Sequence, residues 1–169
     1  MILIHPPVVK PCEPPAGLAK LTGVMYDHGI PCNVIDANLE GLSSLFLEGG
    51  RGKYKRERRT DDNNNAIPEN VMNTWTNRSF RYLESNITAL TSWETYKNID
   101  RYKRAVIDLN RVLEVTASHG DAHLSLSNYL DRNLSPVRSA DLIRASETPE
   151  HNPFHAYFKK RLLAALEEE

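Results

Sequence analysis

Cysteine is scarce in this sequence. Cys12 and Cys32 are the only two among 169 residues, and they belong to no CxxC or CxxxCxxC cluster. That excludes a thiolate-held zinc or iron–sulfur centre carried by this chain alone, because such centres need three or four converging ligands. It also excludes a dense disulfide framework. With no secretion signal in view, two free thiols in a reducing cytoplasm are the expectation. Glycine is sparse too, at eight residues, and none falls in a GxGxxG fingerprint, which argues against a dinucleotide site. No Gly-x-Ser-x-Gly elbow is present, so the sequence offers no esterase-type nucleophile. Nor does any stretch approach the ~20 apolar residues of a membrane span, and the opening Met1-Ile2-Leu3-Ile4 is too short for a signal peptide, so no membrane is expected. Charge of one sign is missing as well. The 21 basic and 22 acidic residues leave a net charge of -1, so no global field draws the chain to nucleic acid. No nucleic-acid partner is expected.

Proline, in contrast, is concentrated near the start. Ile2-Leu3-Ile4 has the form of a short buried strand. Pro6, Pro7, Pro11, Pro14 and Pro15 then forbid regular structure and stiffen a loop. Pro14 and Pro15 suit the beginning of a helix, where a missing N–H costs nothing. Leu18, Leu21 and Met25 continue at helical spacing, and Gly29 is placed to end that helix in the left-handed conformation. Val34-Ile35 reads as a second strand closed by Asp36. Leu39, Leu42, Leu45 and Phe46 follow as a short amphipathic helix stopped at Gly49-Gly50. This is a strand–helix–strand crossover, the first step of a parallel sheet.

What comes next does not continue a sheet. Residues 49–66 carry glycine, a dense charge run and three asparagines, and read as a mobile surface loop. Tyr54 among Lys53, Lys55, Arg56, Arg58 and Arg59 imitates an aromatic-interleaved basic contact, but Asp61 and Asp62 follow at once, which favours a solvated loop. Beyond it the period is helical. Phe80, Leu83, Ile87 and Leu90 form one stripe; Thr91 to Glu94 offer a capping box; Asp100 is placed to cap a long helix carrying Tyr102, Val106, Leu109, Leu113 and Thr116 and ended by Gly120. Residues 122–130 read as a strand or an extended loop. Ser135-Pro136 and Asn152-Pro153 are cap-and-N1 pairs, predicting helices at 136–146 and 153–167, the last with Phe154, Phe158, Leu162 and Ala165 in line. Trp75, Trp93 and Tyr96 read as core or interface anchors.

The fold class expected is therefore α/β: an incomplete Rossmann-like βαβ start with a short parallel sheet, dominated by a helical insertion. The divisions are 1–48 for the βαβ start, 49–70 for the mobile charged loop, 71–148 for the helical insertion and 149–169 for a helix returning to the α/β part. Two parallel strands do not make an independently stable sheet. More strands are expected from a second copy of the chain or from a third strand following Glu169.

In a doubly wound sheet, ligands lie beyond the carboxyl ends of the strands. Here that edge is built by His5, Pro6 and Pro7, by the turn from Pro15 to Gly17, and by Asp36 and Asn38. Gly17 would let a ligand approach the backbone, or else pack the helix on the strand. Asp36 would bind a ligand, or else cap the next helix. The six histidines are His5, His28, His119, His123, His151 and His155; their two i, i+4 pairs straddle Gly120 or Pro153, so no metal site is expected.

"HPP", "PPAGLAKLTG" with "HGIPCNVIDANLEGL", and the late "NPFHAYF" with "LLAALEEE" resemble the amino-terminal, cobalamin-binding-type region of class B radical S-adenosylmethionine proteins. The likeness covers residues 1–42 and, more loosely, 150–169. It implies cobalamin at His5, Pro6, Pro7, Pro15, Gly17, Asp36 and Asn38. It further implies that S-adenosylmethionine and a [4Fe-4S] cluster belong to a downstream catalytic barrel, which this chain would pack against and without which it would not be catalytic. The DxHxxG cobalt-ligand motif is absent; Asp121-Ala122-His123-Leu124-Ser125-Leu126 comes near it but ends in leucine. A second, non-enzymatic reading is a helical interaction module that dimerises through its short sheet.

Overall fold

A computed structural model describes residues 1–6, 15–48, 74–117, 122–135 and 137–167. The charged loop at 49–70, the proline-rich stretch with Pro7 and Cys12, and His119, Gly120 and Asp121 lie outside the described residues. The chain is mixed α/β and mostly helical, and it divides into two compact units.

The α/β unit takes in Met1–Ser44, Ser118–His123 and Ser127–Glu169. It opens with β1 (Ile2–His5), α1 (Ala16–Asp27), β2 (Asn33–Asp36) and α2 (Ala37–Glu48). β1 and β2 pair in parallel, with Ile4 opposite Ile35 and His5 opposite Asp36. Helix α1 ends as its glycine predicts. Gly29 has φ of 65°, the Gly29 N–H donates to the Tyr26 carbonyl at 3.0 Å, and the Ile30 N–H donates to the Met25 carbonyl at 2.9 Å. These are the two bonds of a Schellman close, which needs a residue without a Cβ at the left-handed position. Of the expected apolar stripe of α1, Leu18 and Met25 are half-buried but Leu21 is 52% exposed, as is Val24 at 54%.

The unit's core lies on the isoleucine face of the sheet. After β3 (Ala122–Leu124) and β4 (Tyr129–Asp131), which form a second two-stranded sheet, come α7 (Ser139–Glu147), a 3-10 turn (Pro149–His151) and α8 (His155–Glu167). Ala165 of α8 is fully buried against Ile35 and Ala37, with Ile2 and Phe158 packed around them. Phe154, just ahead of α8, lies so close to Gly41 that a Cβ there would sit 2.7 Å from the ring. Only hydrogen fits, so glycine in the middle of α2 is a packing requirement rather than a helix break.

The second unit, Leu45–Ala117 with Leu124–Leu126, is helical. Its elements are α3 (Thr74–Arg81), α4 (Leu83–Leu90), α5 (Trp93–Tyr96) and α6 (Ile99–Thr116). The stripe predicted as one helix over 80–90 is broken at Tyr82, although Tyr82 and Asn86 keep backbone bonds across the joint at 3.0 and 2.8 Å. Ser92, rather than Thr91, caps α5, its hydroxyl accepting the Thr95 N–H at 3.4 Å. Asn98, not Asp100, caps α6: its Oδ1 accepts the Arg101 N–H at 3.2 Å, while Asp100 sits in the first turn.

The buried face of α6 is Ala105, Asp108, Leu109, Val112 and Leu113. Asp108 is 2% exposed, an ionisable group in an apolar stripe, and it is surrounded by donors. Its Oδ1 accepts from Arg78 Nη2 at 2.8 Å and from Trp75 Nε1 at 3.1 Å, and lies 3.3 Å from the Ser79 hydroxyl; Oδ2 accepts from Asn86 Nδ2 at 3.5 Å. One carboxylate thus ties α3 and α4 to α6. A buried charge costs several kcal/mol unless paired and hydrogen-bonded, and here it is both. Removing it strands the indole, the amide and the half-exposed guanidinium. Asp108→Ala is expected to lower unfolding stability by about 3 kcal/mol, with Asp108→Asn costing less because an acceptor oxygen remains. Urea denaturation followed by circular dichroism checks both; equal midpoints for the wild type and Asp108→Ala would dismiss the hub.

Candidate functional site

The pairing of β1 with β2 brings two of the sequence-selected residues to adjacent strand ends. His5 closes β1 and Asp36 closes β2, directly opposite one another in the ladder. His5 is half-buried and its Nε2 is enclosed, yet among the described residues that nitrogen has no hydrogen-bond partner. A buried polar atom without a partner carries a desolvation penalty of about 1–3 kcal/mol. Asp36 uses one oxygen as a helix cap, Oδ1 accepting the Leu39 N–H at 3.0 Å at the start of α2. Capping by Asp36 was one of the two sequence readings, and it leaves Oδ2 without a partner among the described residues.

The remaining predicted site residues are distributed as follows. Pro6 follows β1 and is exposed. Pro15 is the N-cap residue of α1, and its carbonyl accepts the Ala19 N–H at 2.9 Å. Gly17, in the first turn of α1, is exposed, and a Cβ there would meet nothing within 4 Å. It therefore does not serve to press helix against strand; the space beside it is open. Asn38, in the first turn of α2, is buried at 3% exposed. Pro7 lies outside the described residues. The strand edge thus offers an enclosed imidazole nitrogen, a half-committed carboxylate and two helix starts.

No family model, curated protein or solved structure matches this chain. Among the described residues no three of His, Cys, Asp and Glu converge as a metal site, and no helix is long and apolar enough to cross a membrane. His123 on β3 and His151 in the 3-10 turn are exposed, whereas His28 closes α1 with Nδ1 2.8 Å from the Val24 carbonyl.

Sequence reasoning missed a second polar group in this unit. Glu40 of α2 accepts a hydrogen bond of 2.5 Å from the Tyr157 hydroxyl and one of 3.2 Å from Arg161 Nε, both on α8. Glu40 and Tyr157 are separated by 117 positions, and no local motif announces the pairing. Burial first, then the hydrogen bond to Glu40 and its charge, push the Tyr157 hydroxyl up to about 12, with Arg161 pulling the other way. A tyrosine whose folded-state pKa stands above the ordinary value of about 10 stabilises the fold fully below that value. The contribution is lost as pH rises from about 10 through about 12. Tyr157→Phe should therefore cost about 1 kcal/mol at pH 8 and make stability fall less steeply between pH 10 and 12 than in the wild type. Urea midpoints across that range measure it, and parallel curves for the two proteins would refute the coupling.

Proposed function

We propose that the α/β unit is a cofactor-presenting module, the amino-terminal cobalamin-binding-like part of a radical S-adenosylmethionine enzyme. The observation that carries this reading is the enclosed, unpartnered Nε2 of His5 beside Asp36 at the carboxyl ends of a parallel strand pair. In the doubly wound architecture this is the edge where ligands settle, at a topological position that a helix start also faces. The incomplete Rossmann-like form and the role of the second unit as a helical insertion belong to the same proposal.

The residues on that edge suit a large, amide-rich cofactor. His5 Nε2 and Asp36 Oδ2 supply polar partners, Gly17 leaves open space at the backbone, and Pro6 and Pro15 stiffen the rim. Asn38 backs the start of α2. Cobalamin, when bound, supplies a cobalt centre that carries an alkyl group, chemistry the side chains here lack. The chain's own part is to bind and orient. Cleavage of S-adenosylmethionine would fall to a [4Fe-4S] cluster in a downstream barrel, since Cys12 and Cys32 cannot hold one.

A second reading has its own support: Ile4, Leu21, Val24, Tyr26 and Ile30 are all exposed around β1 and α1. An uncovered apolar face of this kind fits a module that dimerises through its short sheet, and it equally fits packing on a catalytic barrel. Titration with hydroxocobalamin, followed by visible absorbance, separates the readings when run beside light scattering. The cofactor reading expects a saturable band shift at micromolar protein, weakened about tenfold or more in His5→Ala. No shift at several hundred micromolar, together with a concentration-dependent dimer, would replace it with the interaction module.

A further inference from the structure

The helical unit carries a surface that the cofactor reading does not use. Trp93 is 67% exposed and Tyr96 57%, and their rings stack with centroids 5.4 Å apart at an interplanar angle of 16°. Tyr102 meets Tyr96 edge-on at 5.5 Å, Lys97 Nζ stands 6.0 Å over the Trp93 ring, and Ile99 is exposed at the start of α6. Tryptophan and tyrosine are normally kept largely from water, so a stacked pair left in solvent loses burial that the fold could have supplied. The stack holds the rings in one geometry, which lowers the entropy lost when they are covered.

Charge says what covers them. Lys97 is paired with Glu94 at 3.3 Å, but the exposed Arg101, Lys103 and Arg104 have no ionic partner among the described residues. Between Trp93 and Arg104 there are four cations against two anions, Glu94 and Asp100, a local excess of two on a chain whose net charge is -1. A hollow of about 220 Å³ lies between α4, α5 and the start of α6, lined by Thr88, Ser92, Glu94, Thr95, Asn98 and Arg101 among others; neither ring lines it, and Glu94 makes it no seat for an acidic side chain. Exposed Trp, Tyr and Arg close together in the chain form the composition of a protein-binding hot spot.

We infer that the corner formed by α5 and α6 docks an acidic segment of a partner protein, with an apolar side chain anchored on the Trp93–Tyr96 stack and its carboxylates facing Arg101, Lys103 and Arg104. A single-stranded nucleic acid fits less well: Glu94 and Asp100 interrupt the cations, and a single ring stack is not a track along which successive bases stack.

The test uses the full chain and three fluorescein-labelled probes: a twelve-residue peptide of alternating glutamate and leucine, its lysine–leucine counterpart, and a twelve-nucleotide oligothymidylate. Fluorescence anisotropy should show the acidic peptide binding at least tenfold more tightly than the basic one. Trp93→Ala and the Arg101→Glu, Arg104→Glu pair should each weaken that binding at least tenfold. All these side chains are exposed, and circular dichroism confirms that the variants keep their helix content. Equal binding of the two peptides, or acidic-peptide binding unchanged by Trp93→Ala, would overturn the inference. So would tighter binding of the oligothymidylate that is lost in the same variant, which would make the corner a nucleic-acid platform. Hydroxocobalamin binding plays no part in these readouts, so the cofactor reading and the docking surface stand or fall separately.

Discussion

The α/β unit depends on one pairing. Four residues of β1 and four of β2 run parallel in a register that sets Ile4 against Ile35 and His5 against Asp36. Two parallel strands have too few ladder bonds to stand alone, so the pairing persists because its apolar face is closed from elsewhere in the chain. Ala165 supplies that cover with a side chain small enough to let α8 approach Ile35 and Ala37 closely. Phe154 against Gly41, and Tyr157 and Arg161 on Glu40, then hold α8 to α2 by shape and by charge. A slip of one residue in the register would turn Ile35 away from Ala165 and place Val34 there instead, so burial and register enforce each other.

The helical unit solves a different problem. Its buried stripe contains an aspartate, and the cost of that charge is met by donors from two other helices. Hydrophobic contact alone would let α3 and α4 slide along α6; hydrogen bonds aimed at one carboxylate restrict that freedom. The aromatic corner at α5 is the opposite case, where large rings are held in a fixed arrangement but left in water. Each unit therefore pairs a part that the fold satisfies with a part that it does not. In the α/β unit the unsatisfied part is the His5 nitrogen, and in the helical unit it is the aromatic stack.

Much of this was legible in the sequence wherever a local rule governs. The apolar run Ile2-Leu3-Ile4, the glycine at position 29 and the Asn152-Pro153 start each depend on backbone geometry or short-range pattern, and the parallel strands, the Schellman close and the helix that follows are present. Pattern also misled in specific ways. Leu21 and Leu39 fit the apolar stripes but are exposed, because the sheet is too narrow to cover a full helix face. Asp100 is a good cap residue, but Asn98 lies at the point where the backbone turns into α6. Hydrophobic spacing does not reveal Asp108, the one charged residue on the buried face of α6. The contacts of Glu40 with Tyr157 and Arg161 join positions more than a hundred residues apart, which only the tertiary fold brings together. At the candidate site, the sequence offers the edge and its residues only as an expectation; that His5 Nε2 is enclosed and without a partner among the described residues could be learned only from the packing around it.

The strand register is thus the point on which the site reading turns, since it alone brings His5 to Asp36. Cross-strand nuclear Overhauser effects in an isotope-labelled sample measure it directly. The expected pattern is a parallel ladder with Ile2 opposite Asn33 and Ile4 opposite Ile35, and slow amide exchange at Ile35 together with the α8 residues around Ala165. A ladder displaced by one residue, or free exchange at Ile35, would separate His5 from Asp36 and contradict the account.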